Sequence, residues 1–144
     1  MASVVALHLN VGSRAPLTPV TSVGARPDQG LEGDRPRRPM RAVLLVEQEV
    51  LDRFGLPAGA VCEQVTVSGV DLGALARGGR VRVGTAVLEV GGLCAPCERM
   101  NELQPGLRGQ LEGRRGRFFR VVEAGTIAVG DPIAVLPPVA TPAP

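Results

Sequence analysis

Tryptophan, tyrosine and lysine are absent from this 144-residue sequence, and phenylalanine occurs three times. With only three Phe there is no aromatic platform on which successive bases could stack, so single-stranded nucleic-acid binding by that route is not expected. With no Lys, all 16 basic residues are Arg, a uniformity consistent with biased base composition in the source genome, which weakens each Arg as a sign of anion recognition. The formal net charge of +2 is too small to mark a nucleic-acid or membrane surface. Cysteine is scarce and odd in number, at three residues, which excludes a disulfide framework. No apolar run is long enough to span a bilayer. The opening "MASVVALHLN" has neither a basic start nor a long apolar run, so no signal peptide is expected. These absences point to a cytoplasmic, reducing location, with neither membrane nor nucleic acid as partner.

What is present is aliphatic and much interrupted. The hydrophobic fraction is 44%, carried by Val, Leu, Ala and Ile, and 19 Gly and 13 Pro break the chain often. Many short elements and frequent turns favour a β-rich domain over a helical bundle, and a chain of this length can bury its own core. "SVVALHLN" (3–10) alternates and reads as an opening strand, "VGSRAPLTPV" (11–20) as loop, and "DQGLEGDRPRRPMR" (28–41) as a Gly-, Pro- and Arg-rich connection. "AVLLV" (42–46) reads as a buried strand, and "EQEVLDRFG" (47–55) as a helix with Gly55 at its C-terminal cap. "EQVTVSGVDLGAL" (63–75) is a strand running into a turn or short helix, and "GGRVRVGTAVLEVGG" (78–92) a hairpin around Gly84. "ERMNEL" (98–103) has room for one or two helical turns before Pro105-Gly106, and 116–136 reads as three strands separated by turns. The expected architecture is one mostly antiparallel β-barrel or sandwich over residues 1–136, with short helices. A Pro-rich tail expected to be disordered follows at 137–144.

The stretch "VGGLCAPCERMNELQPG" (90–106) sets Cys94 and Cys97 three positions apart. A structural zinc site needs four ligands, and the only others are Cys62 and the lone histidine, His8, in a strand at the far end of the sequence, so zinc is not expected. A thioredoxin-like C-x-x-C opens a long helix in a βαβ unit, but here Pro105-Gly106 arrives within eight residues of Cys97 and no crossover helix follows. Two readings of the residues stand side by side. Free cysteines are often small core residues, whereas a thiol in a loop between Gly91-Gly92 and a proline, next to Arg99, can ionise and bind soft metal or carry sulfur. His8 has no nameable Ser, Asp or Glu partner and reads as a strand residue.

Four segments in order, "GLEGDR" (30–35), "CEQVTVSGVDLGAL" (62–75), "GGRVRVGTAVLEVGGLCAPC" (78–97) and "PGLRGQLEGRRGRFFRVVEAGTIAVGDPIAVL" (105–136), resemble the MOSC domain, named for the C-terminal domain of molybdenum-cofactor sulfurases. The likeness runs through nearly the whole chain except the tail, and is greatest to the small stand-alone bacterial members. It implies a β-barrel and an association with sulfur handling and the molybdenum cofactor (molybdopterin). By position after the "LEV" strand, the functional cysteine of the family falls on Cys97, as thiolate ligand or sulfur acceptor, with Cys94 as a supporting or resolving thiol. A pterin cofactor carries an anionic tail, which Arg35, Arg37, Arg38 and Arg41 could meet with their guanidinium forks, and Gln64 stands where the family places a cofactor-side Asn. The chain departs from the family at Pro36, Ala42 and Gln64, where His, Gln and Asn are usual. Implied partners are a cysteine desulfurase or a molybdoenzyme. The resemblance admits a molybdenum-dependent reductase component for N-hydroxylated substrates, drawing electrons from a partner, as well as a sulfur carrier. A non-catalytic interaction barrel with structural cysteines is the competing expectation.

Overall fold

The structure, a computed structural model, describes residues 2–12 and 16–137. The expectation of a disordered tail lies, apart from Pro137, outside these residues. Eight strands form one sheet and three a smaller one. In the large sheet the order is Ile133–Val135 (β11), Arg80–Val83 (β7), Ala86–Leu93 (β8), Arg117–Glu123 (β9), Val43–Glu47 (β5), Val65–Ser68 (β6), Ser3–Leu9 (β1) and Thr18–Val20 (β2). The small sheet holds Gly125–Ala128 (β10), Ser22–Arg26 (β3) and Gly30–Leu31 (β4). Three helices, Gln48–Arg53 (α1), Arg99–Leu103 (α2) and Leu107–Gln110 (α3), and 3₁₀ turns at Pro39–Arg41 and Leu72–Ala74 complete the fold. Among the described residues no helix is long and apolar enough to cross a membrane.

The mostly β, mostly antiparallel expectation holds; β5 and β6 are the parallel exception. The barrel expectation holds in part. The large sheet curls until β1 meets the turn before β11 at a lone bridge, Ser3 to Pro132, supported by Val4 N–H to the Asp131 carbonyl at 2.9 Å. Ile133 N–H to the Ala2 carbonyl at 3.0 Å flanks the bridge on its other side, but the pairing does not continue as a ladder between β1 and β11, so the sheet does not close. The segment 11–20 is a correction: its end, Thr18–Val20, is a strand paired with Leu7–Leu9. Pro16 and Pro19 disguise it, yet Pro19 is tolerated because β2 is the edge of the sheet and needs no outward donor.

The unbroken apolar run of β5 has a direct cause. Val43 and Leu45 face the main core between the sheets, while Leu44 and Val46 face a second core closed by the helices. A strand buried on both faces loses the alternation of a half-exposed one. In β9, Phe119 turns into the main core and Phe118 into the second. Leu51, Met100, Leu107 and Leu111, all buried, fill the second core from the helical side, each worth about 1.5–3 kcal/mol of transfer free energy. Cys94 belongs to this second core.

Candidate functional site around Cys94 and Cys97

The end of β8 delivers the cysteines. Its register against β9 shifts between Val90 and Leu93, so the strand bulges at Gly91-Gly92 and turns its chain outward. Glycine is required at 91: a Cβ there would lie 2.9 Å from the Phe118 carbonyl oxygen and 3.3 Å from that of Met40. Cys94 N–H then donates to the Gly116 carbonyl at 2.9 Å, pinning the departure point. Pro96 is buried and Cys97 exposed, and the Cys97 carbonyl accepts from Met100 N–H at 2.9 Å as α2 begins.

The two thiols thus have different surroundings. Cys94 is 4% exposed, and its Sγ accepts a short hydrogen bond from Arg115 Nη1. Arg115 is itself buried, with Nε donating to Met100 Sδ at 3.2 Å and Nη2 to the Val61 carbonyl at 3.0 Å. Burial pushes the Cys94 thiol up from its ordinary pKa, against the pull of the Arg115 charge and hydrogen bond and of the Arg41 charge. Cys97 stands free of the core on the outside of the same turn. Beside it, the Glu98 carboxylate is held below its usual range by hydrogen bonds from Asn101 Nδ2 and Arg108 Nη1, both at 2.9 Å.

Arg41 lies near Cys94, whose thiol feels its charge. The 3₁₀ turn that carries it packs on β9, and its guanidinium lies over the Phe118 ring, 4.6 Å from the centroid. The other expected site residues lie elsewhere. Arg37 pairs with Asp34, Nε to Oδ2 at 3.2 Å. It lines a polar cleft of about 560 Å³ between the β3–β4 turn and the following loop. Arg35 and Arg38 extend from exposed positions of that loop. Gln64 is 1% exposed: its Oε1 accepts from Leu44 N–H at 2.9 Å, and its Nε2 donates to Asp34 at 3.1 Å and to the Ala42 carbonyl at 3.3 Å. Gln64 therefore ties β5, β6 and the 28–41 connection together beneath the surface.

Two residues that organise the site had not been singled out from the sequence. Asp34, its side chain 3% exposed, gathers Asn10 N–H at 2.7 Å, Arg37 and Gln64. Its signal was its place in "GLEGDRP", a short polar residue in a Gly- and Pro-flanked turn. Arg115 carries no such signal, since nothing in "GRRGRFF" separates the buried arginines, 115 and 117, from the exposed Arg114.

Among solved structures, the chain is similar to YiiM from Geobacillus stearothermophilus, with a TM-score of 0.76, 23% identity, and coverage of 95% of this chain and 76% of that one. It is also similar to the YUAD protein from Bacillus subtilis, with a TM-score of 0.73, 20% identity, and coverage of 92% and 94%. YiiM from Escherichia coli gives 0.72, 19%, and 98% and 72%. At these identities the likeness is one of fold. No curated protein matches the chain. The family model of the MOSC domain matches residues 32–134, from the Asp34 hub through both cysteines to the last strand, and the chain therefore belongs to the MOSC-domain family.

Proposed function

We propose that this MOSC-family chain accepts and passes on sulfur at Cys97. The observation that carries the reading is the asymmetry of the pair: Cys97 exposed, Cys94 buried and committed to Arg115. A thiolate is the nucleophile of sulfur transfer, so the thiol that works must be reachable. The Cys97 thiolate attacks the outer sulfur of a donor persulfide, of the kind formed on a cysteine desulfurase. One S–S bond forms at Cys97 Sγ, the donor's S–S bond breaks, and the electron pair leaves on the donor thiolate. The exchange needs no external oxidant or reductant, and its reversal delivers the sulfur to an acceptor such as a molybdoenzyme. Cys94, kept protonated by burial, does not compete as a nucleophile.

A second reading, cofactor binding, is favoured by membership of the MOSC-domain family. Among the described residues no group of three or more His, Cys, Asp and Glu could hold a metal ion, so the protein would contribute a single thiolate. Cys97 is a soft ligand that fits molybdenum, and Arg41 fits an anionic tail. Gln64 does not fit a ligand role, its amide being fully engaged inside the fold. When bound, the cofactor would supply the redox metal; this chain's part is to hold it at Cys97, and a reductase function would draw electrons from another protein. The interaction-barrel alternative leaves the exposure of Cys97 without a role.

Cyanide releases outer sulfur from a persulfide as thiocyanate, and this tests the reading. After incubation with a cysteine desulfurase and cysteine, the wild type should yield close to one thiocyanate per chain and Cys97→Ala none. Equal yields from both would reject Cys97 as the carrier.

A further inference from the structure

A second cleft, of about 560 Å³, opens where the 3₁₀ turn Leu72–Ala74 runs into β7, beside the middle of β8 and the end of β11. Leu75, Val81, Val90 and Leu136 give it apolar walls. Its floor is fixed by backbone bonds, Gly78 N–H to the Val90 carbonyl and Val90 N–H to the Gly79 carbonyl, both 2.8 Å, and its far rim by Leu136 N–H to the Arg80 carbonyl at 2.9 Å. A cleft of this size and lining is ordinary for a small-molecule site.

Its charges are unbalanced. Arg77 lines the cleft, exposed, and pairs with no carboxylate among the described residues, its guanidinium lying over Gly92. Behind the Leu75 wall sits Arg117, buried, donating from Nη1 to the Leu75 carbonyl at 2.6 Å and from Nε to the Gly91 carbonyl at 2.8 Å. Among the described residues every hydrogen bond that Arg117 makes is to a backbone carbonyl, so its charge is solvated and not cancelled. Burial and then the charge of Arg77 pull its pKa down. The one acidic residue of the lining, Glu89, faces Arg80 across β7–β8 and Arg120 across β8–β9, already opposed by two cations.

We propose that this cleft binds a small soluble amphipathic anion, a carboxylate or phosphate head on an apolar body, with the head on Arg77 and the body along Leu75, Val90 and Leu136. An apolar ligand would leave two uncancelled guanidinium charges beside its surface; an anionic head meets Arg77 with a charge-assisted hydrogen bond and screens Arg117 behind it. The site is independent of the sulfur-transfer reading: Arg117 reaches carbonyls on the main-core side of β9, whereas Cys94 packs in the second core.

Anilinonaphthalene sulfonate combines an anionic head with a flat apolar body, and the chain has no Trp to interfere with its fluorescence. Titration should show one saturable site per chain, weakened about tenfold in Arg77→Gln, the loss of one charge-assisted contact. The site should be held within a few-fold in Arg77→Lys, lost in Leu136→Asp and unchanged in Cys97→Ala, with all variants retaining the wild-type circular dichroism. Octanoate and octyl phosphate should displace the probe, and octanol should do so much less well. Absence of a saturable site, equal binding by Arg77→Gln and Leu136→Asp, or displacement by octanol as effective as by octanoate would each overturn the proposal. Loss of binding in Cys97→Ala would show the two sites to be one.

Discussion

The buried Arg115 guanidinium joins Cys94 Sγ to the Val61 carbonyl oxygen, and no carboxylate pairs with it among the described residues. It thereby couples the cysteine turn to the 57–62 loop that precedes β6. A buried charge with neutral acceptors is costly to place and costly to remove carelessly.

Arg115→Ala should leave the Val61 carbonyl unsatisfied and open a cavity beside Met100, costing about 2–4 kcal/mol in urea unfolding. Arg115→Met, which keeps the volume and drops the charge, should lose less than half as much. Equal losses would show that the charge itself holds the turn.

Alkylation should separate the thiols. Cys97 should react with iodoacetamide at once in the native protein, Cys94 only as the chain opens. Because the folded Cys94 pKa lies above its unfolded value, its protonated form contributes stability that is complete below the ordinary thiol pKa. That stability declines as pH climbs through it toward the folded value. The wild type should thus lose stability across this alkaline window more steeply than Cys94→Ala, and parallel pH curves would refute the shift.

Gly116, at φ +101°, has no room for a side chain: a Cβ would lie 2.6 Å from Val46 Cγ2. Its carbonyl also receives Cys94 N–H. Gly116→Ala should cost roughly 3 kcal/mol or more by the combined strain and clash, read as a fall in the unfolding midpoint. A near-neutral result would mean that β9 and the cysteine turn shift freely.

Gln64→Asn shortens the amide by one methylene and should break at least one of the bonds to Leu44, Asp34 and Ala42, costing about 1–3 kcal/mol. Molybdenum content should be unaltered in Gln64→Asn if cofactor is held only at Cys97. Metal analysis of protein made in a cofactor-producing host would show this, with Cys97→Ala as the zero.

The strands with strong β-formers, β1, β5, β6 and the β7–β8 hairpin, were legible because pattern and burial agree there. β2 was not, since Pro16 and Pro19 read as loop and only the edge position of the strand makes Pro19 tolerable. The approach of the two ends of the sheet at Ser3 and Pro132, 129 positions apart, is a long-range contact that no local pattern encodes. In the site, the pairing of Cys94 with Cys97 was visible, but their difference was not: it arises from the β8 bulge and from Arg115, twenty-one positions on. The Arg run at 35–41 looked like one anion patch. The fold divides it, sending Arg41 over Phe118 toward Cys94 and holding Arg37 on Asp34.

Intact mass after incubation with a cysteine desulfurase and cysteine tests the central claim most directly. The account predicts a gain of one sulfur atom in the wild type and in Cys94→Ala, and no gain in Cys97→Ala. A gain that persists in Cys97→Ala, or that requires Cys94, would contradict it.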